Sequence, residues 1–125
     1  MKTLLVVSLG GFIGTALRYI IGVLPYKVVH TAFPYGTFLV NFLGCFLIGY
    51  FMEYALTKSL LSDTARFFIS IGILGGFTTF STFSYEAIQL MRSGNFMYAT
   101  TYVLGTNFLC LCGTFMGMKF ISILR

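Results

Sequence analysis

Charge is scarce in this sequence: three residues are acidic, one is histidine, and charged residues of all kinds make up 9% of 125. That scarcity removes most chemistry at once. Glu53, Asp63 and Glu86 are too scattered to form a general acid/base pair, and His30 stands alone in a loop between Pro25 and Pro34. No phosphate-binding loop and no nucleophile with an adjacent base occurs, so the chain does not read as an enzyme. The net charge of +5 is spread over single basic residues with no basic run, which sets nucleic acid aside as a partner. Cysteine is also sparse. Cys45, Cys110 and Cys112 lie in apolar segments with no histidine or carboxylate near them in sequence, so neither a metal site nor a disulfide framework is expected from them. A cleavage site is lacking too: the apolar run after Lys2 passes Ser8-Leu9-Gly10 and reaches Leu24 without a small-x-small pattern, which reads as a retained first transmembrane helix.

What is present is apolar. Hydrophobic residues make up 58% and mean hydropathy is +0.92, against soluble domains in which about a quarter of residues are charged. The expected protein is therefore all-α and membrane-integral, a single domain over 1–125. Four segments are long enough to span the hydrocarbon core, roughly 4–24, 36–57, 66–91 and 97–123. Short connections make neighbouring spans antiparallel and put both termini on one side. Lys2, Lys58, Arg66, Lys119 and Arg125 fall on that side, against Lys27 and Arg92 on the other, with Arg18 near it; the bias favours termini inside, weakly.

Polar residues inside the spans are the functional candidates. In the first, Gly10, Gly14, Arg18 and Gly22 share a face; Arg18 either snorkels to headgroups about 9 Å away by helical rise or marks the mouth of an anion path. In the second, Asn41 serves either as interhelical glue or as an amide donor to a passing anion. In the fourth, Tyr102, Thr106, Cys110 and Thr114 recur at intervals of four. Threonines in such a stripe commonly bond their own i−4 carbonyls, whereas Tyr102, if buried, needs a partner beyond its helix.

The third span holds the least lipid-like stretch, Gly72 to Ser84. Two consecutive glycines and two β-branched threonines have low helix propensity, so a helix break is expected over Gly75 to Thr78. Such a break persists in a membrane only where protein or a water-lined cavity covers it. Phe80 and Phe83 follow on one face, interleaved with Ser81, Thr82 and Ser84. Ring edges carry partial positive charge and hydroxyls can turn protons toward an anion, so the group either packs or replaces an anion's hydration shell. Glu86 lies one turn on, a candidate to pair with Arg18 or Arg92.

Along almost its full length the chain resembles the small fluoride channels called Fluc or CrcB. The resemblance lies in Gly10-Gly11-Phe12-Ile13-Gly14-Thr15-Ala16-Leu17-Arg18-Tyr19, in Gly36-Thr37-Phe38-Leu39-Val40-Asn41-Phe42-Leu43-Gly44, and most specifically in Gly75 through Ser84. It implies an antiparallel, dual-topology homodimer in the cell inner membrane, lipid-embedded, that lets fluoride leave the cytoplasm passively. It further implies a structural sodium ion at the dimer centre held by the backbone carbonyls of Gly75 and Thr78. Phe80, Phe83, Asn41, Ser81, Thr82 and Tyr102 would line the fluoride pores and Arg18 a vestibule. Two features depart from the family pattern: the lysine and arginine bias is not near zero, and Cys110 interrupts the fourth-helix hydroxyl stripe. The alternative is a small dual-topology multidrug or cation exporter, which needs a membrane-embedded carboxylate; only Glu53 or Glu86 is on hand.

Overall fold

A computed structural model describes residues 1–58 and 61–123. Residues 59 and 60 of the second loop, the side chain of Lys58, and Arg125 from the basic count lie outside the described residues. Helix α1 spans Lys2–Val23 and α2 spans Tyr35–Lys58. Segment α3 runs from Asp63 in three pieces: α-helix Asp63–Phe67, π-helix Phe68–Leu74 and an α-turn Gly75–Phe77. Helices α4, Phe80–Arg92, and α5, Phe96–Ile123, complete the chain. With α3 and α4 taken as one interrupted span, four helical stretches are long and apolar enough to cross a membrane. The protein is a multi-pass membrane protein, all-helical among the described residues.

Local chemistry sets the ends. Ser62 caps α3 by accepting from the Ala65 N–H, and Pro34 precedes α2, its carbonyl taking the Phe38 N–H. Between α4 and α5, Gly94 adopts φ 76°, while Asn95 N–H bonds the Leu90 carbonyl and Gly94 N–H that of Met91. This is a Schellman turn, and only glycine enters that conformation without strain.

Two glycine seams draw the helices together. On one, a Cβ at Gly14 would overlap the Ile73 carbonyl and one at Gly10 would lie 2.7 Å from that of Phe68, so α1 lies directly on the wide part of α3. On the other, Gly49 meets the Thr114 backbone and Gly117 the Phe46 carbonyl, joining α2 to α5. Small residues let backbones approach where lipid offers no hydrophobic drive for association. The side-chain core gathers near the α4–α5 turn: Phe83, Ala87, Leu90, Ala99 and Tyr102, with Phe33, Phe38 and Val103 against them.

The interruption lies one turn later than its glycines imply. Gly75 and Gly76 remain helical, and Thr78 and Thr79 are the extended residues, with φ/ψ of −86°/160° and −151°/117°. Gly76 has another task, since a Cβ there would sit 2.7 Å from the Gly11 carbonyl. Its smallness admits α1, while the β-branched threonines accept the extended geometry. The π-helical stretch ahead of the break was not foreseeable from sequence.

Candidate functional site at the α3–α4 break

Thr78 keeps one helical bond through its N–H, and the remaining backbone needs of Thr78 and Thr79 are met from elsewhere. Thr78 N–H still reaches the Leu74 carbonyl at 3.0 Å, while its own carbonyl accepts from Arg18 Nη1 at 3.2 Å. Thr79 is read by Asn41 as one peptide reads another: Thr79 N–H donates to Asn41 Oδ1 at 2.8 Å, and Asn41 Nδ2 donates to the Thr79 carbonyl at 3.0 Å. Both residues are buried, so these bonds replace water that cannot enter. The Thr79 hydroxyl caps α4 by accepting from the Thr82 N–H, and it donates to Thr82 Oγ1 at 3.0 Å. With the Thr78 N–H on Leu74 and the Thr79 N–H on Asn41, neither donor that would continue the helix reaches the Gly75 carbonyl.

Two grooves meet at Thr79. The first, of about 330 Å³, lies between α2, α3 and α5 and takes in Asn41, Gly75, Thr78, Phe80, Phe83 and Thr106. Phe80 stands 75% exposed, whereas Phe83 is buried, their ring centroids 5.6 Å apart. Thr106 is 5% exposed, and its hydroxyl has no partner among the described residues. A buried hydroxyl left without a partner beside a groove is a donor in reserve for an ion or water that reaches it.

The second groove, about 400 Å³, lies across the break and is bounded by Arg18, Thr37, Thr82 and Glu86. Glu86 makes no ion pair with Arg18 or Arg92. Thr37 Oγ1 donates to its Oε1 at 2.9 Å and Tyr102 OH to its Oε2 at 2.7 Å. Tyr102 is fully buried, its ring edge-on to Phe33 at 5.4 Å and tilted against Phe83 at 5.0 Å. The phenol thus points to the Glu86 side while Thr106, one turn on, lines the first groove. A third hollow, about 540 Å³, shares Tyr26 and Glu86 with the second and opens toward Asn95 at the helix ends.

The residues singled out by sequence therefore divide. Asn41, Phe80, Phe83, Gly75 and Thr78 share the first groove, and Arg18 and Thr82 the second. Ser81 lines neither, being exposed with its hydroxyl 3.3 Å from that of Thr79. Sequence reasoning missed three participants. In sequence Thr79 reads as a mere helix breaker, Thr37 lies inside a motif without a role of its own, and Cys45 and Cys110, neighbours on one groove, come from two distant segments.

In chemical terms the first groove offers a ring edge, hydroxyls and an amide to an anion, and backbone carbonyls to a hard cation. The CrcB family model, described as "CrcB-like protein, Camphor Resistance (CrcB)", matches residues 5–118. The chain is 46% identical over 118 residues to the "Fluoride-specific ion channel FluC" of Geobacter sulfurreducens, covering 94% of this chain and 95% of that one. Proteins of the same name from Geotalea daltonii, 43% identical over 118 residues, and Phocaeicola vulgatus, 45% over 119, are covered at 95% and 97% and cover 94% of this chain.

Proposed function

The chain belongs to the CrcB-like family, and from that premise we propose that it is a fluoride-selective passive channel rather than an enzyme or a pump. The observation that carries the mechanism is the pinned break at Thr78–Thr79, where two grooves on opposite sides share one threonine. Fluoride entering the first groove exchanges water for the edge of Phe80 or Phe83, the Thr106 hydroxyl and the second N–H of the Asn41 amide. Those donors sit on fixed helices, so a compact anion is coordinated closely and a larger one is not. Thr79 and Thr82 carry hydroxyls from that groove into the next, where Arg18 supplies positive charge.

No coupled energy source is needed for export. An interior-negative potential of about 100 mV is worth about 2.3 kcal/mol per charge, which holds an outward gradient of about 50-fold at equilibrium. An exporter exchanging protons for cations would need Glu86 free to titrate against substrate, and both of its oxygens already accept hydroxyl donors.

The pore walls of one chain are open, and Phe80 projects 75% exposed from the break. We assign the missing wall to a second, antiparallel copy within the bilayer, the arrangement in which a chain with four spans and short loops can present its break to an identical break. The donor set suits sodium: Gly75 is exposed with a carbonyl that neither helical donor reaches, and the Thr78 carbonyl keeps a lone pair beside its bond from Arg18. When bound, the ion supplies a fixed positive charge that links backbone carbonyls of the broken helices. Liposomes holding the purified protein should release fluoride readily and chloride hardly at all, measured with ion-selective electrodes; equal release of both would overturn the channel reading.

A further inference from the structure

Cysteine was set aside in the sequence because no ligand stood near it along the chain. Folding supplies one. Helices α2 and α5 run in the same direction, and Gly49 against Thr114 and Gly113 against the Phe42 ring hold them close. Between these contacts Cys45 and Cys110 stand as neighbours across the helix pair, and the Thr114 hydroxyl donates to the Cys110 carbonyl at 3.2 Å. Both thiols are partly buried, and both stand on the wall of the first groove. Cys112, two residues on, does not line it.

We propose that Cys45 and Cys110 form a two-thiolate site for a soft d10 cation, of the Cu(I) or Hg(II) type, whose occupancy obstructs the groove. Thiolates are soft donors that select such ions, and two of them satisfy the linear coordination these ions accept. The remaining polar groups of the groove are hard: carbonyls, hydroxyls and the amides of Asn41 and Asn107. Soft and hard cations are thus sorted to different walls of one cavity. With mercuric ion the step is a proton exchange without redox change: two thiols and Hg2+ give RS–Hg–SR and two protons. Binding therefore tightens as pH rises. The product is neutral overall, so its effect on an anion comes from bulk, one helical turn from the unpartnered Thr106 hydroxyl.

The binding half of this proposal stands without the channel reading; the obstruction half rests on it. Detergent-purified protein is treated with one equivalent of mercuric chloride, then with a maleimide, and the modified cysteines are located by peptide mass. Cys45 and Cys110 should be protected together while Cys112 reacts; protection of Cys112, or mercury bridging two chains, overturns the site. Cys45→Ala should weaken mercuric binding by more than the about 10–100-fold that losing an outer-shell partner costs a metal site. In liposomes, mercuric chloride should stop fluoride release by the native chain and by Cys112→Ala, and dithiothreitol should restore it. Undiminished release with both thiols protected overturns the obstruction. No release before mercury is added condemns the channel reading instead, and the maleimide pattern still decides the site.

Discussion

Asn41 and Thr79 face each other across α2 and the α3–α4 break in a two-bond pair, 2.8 Å from the Thr79 N–H to Oδ1 and 3.0 Å from Nδ2 to the Thr79 carbonyl. One side chain thereby satisfies both backbone groups of a residue that has left the helix. Its removal strands two buried polar groups, each costing about 1–3 kcal/mol. Asn41→Ala should lower the melting temperature in detergent sharply, and Asn41→Asp, which keeps the acceptor and regains a donor only when protonated, should approach the native chain at low pH and lose that gain as its carboxyl ionises. Native-like melting of Asn41→Ala would mean that water reaches the break.

Phe80 and Phe83 are neighbours with opposite surroundings, one 75% and the other 6% exposed. Phe83→Ala removes a ring packed on Tyr102 and should destabilise the chain. The cost should be only part of the about 3–5 kcal/mol seen in water-soluble cores, because lipid is as apolar as the core it replaces. Phe80→Ala should leave thermal stability of the single chain near native yet slow fluoride release in liposomes. Flux that is unchanged in Phe80→Ala would remove that ring from the ion path.

The glycine seams make a sharper stability test. Gly14→Ala would drive a methyl into the Ile73 carbonyl and Gly117→Ala into that of Phe46, and backbone has no means to step aside. Gly105, on the same α5, has nothing within 4 Å of a new Cβ. Both seam variants should yield little monodisperse protein by size-exclusion chromatography. Gly105→Ala should behave as native or gain up to about 1 kcal/mol from helix propensity.

Four spans were legible because crossing a bilayer leaves a long apolar run that interrupting charge cannot hide. The existence of a break was legible from two glycines and two threonines, but of the expected Gly75 to Thr78 only Thr78 is extended, with Thr79 beyond it. Gly76 reads as a breaker on paper, whereas its use is the close approach of Gly11. Asn41 and Arg18 were visible as polar intrusions with two readings each. Their actual partners are backbone carbonyls and an N–H, which carry no side-chain signature, so neither reading named them. The π-helical turn of Phe68–Leu74 depends on how α1 packs, and the meeting of Cys45 with Cys110 on how α2 lies along α5. Both are tertiary facts that local periodicity does not encode.

Glu86 and Tyr102 offer a cycle in which the pair is separable from packing. Tyr102→Phe keeps the ring between Phe33 and Phe83 and deletes only the hydroxyl that donates to Oε2. A hydrogen bond to a charged group contributes about 1.5–3 kcal/mol. Glu86→Gln retains one acceptor oxygen and turns an NH2 toward the other hydroxyl, which can rotate to accept. The double variant should therefore cost less than the sum of the singles, by a coupling of about 0.5–3 kcal/mol in thermal unfolding. Strict additivity would show that the 2.7 Å contact is energetically idle.

Arg18 and the proposed sodium ion compete for one atom, the Thr78 carbonyl oxygen, which the guanidinium reaches at 3.2 Å. A carbonyl has two lone pairs, so both can be served, but each cation reduces the negative potential that the other meets. Arg18→Gln removes the positive charge and keeps an amide donor of shorter reach. It should bind sodium more tightly than the native chain while passing fluoride more slowly, since the second groove loses its only cation among the residues that line it. Subunit exchange between fluorescently labelled copies, measured in sodium and in N-methylglucamine, reads the first effect. Exchange should be slow in sodium and fast without it, with the transition displaced to lower sodium in Arg18→Gln. Exchange indifferent to sodium in both proteins would remove the ion from the interface and leave the Gly75 carbonyl to water.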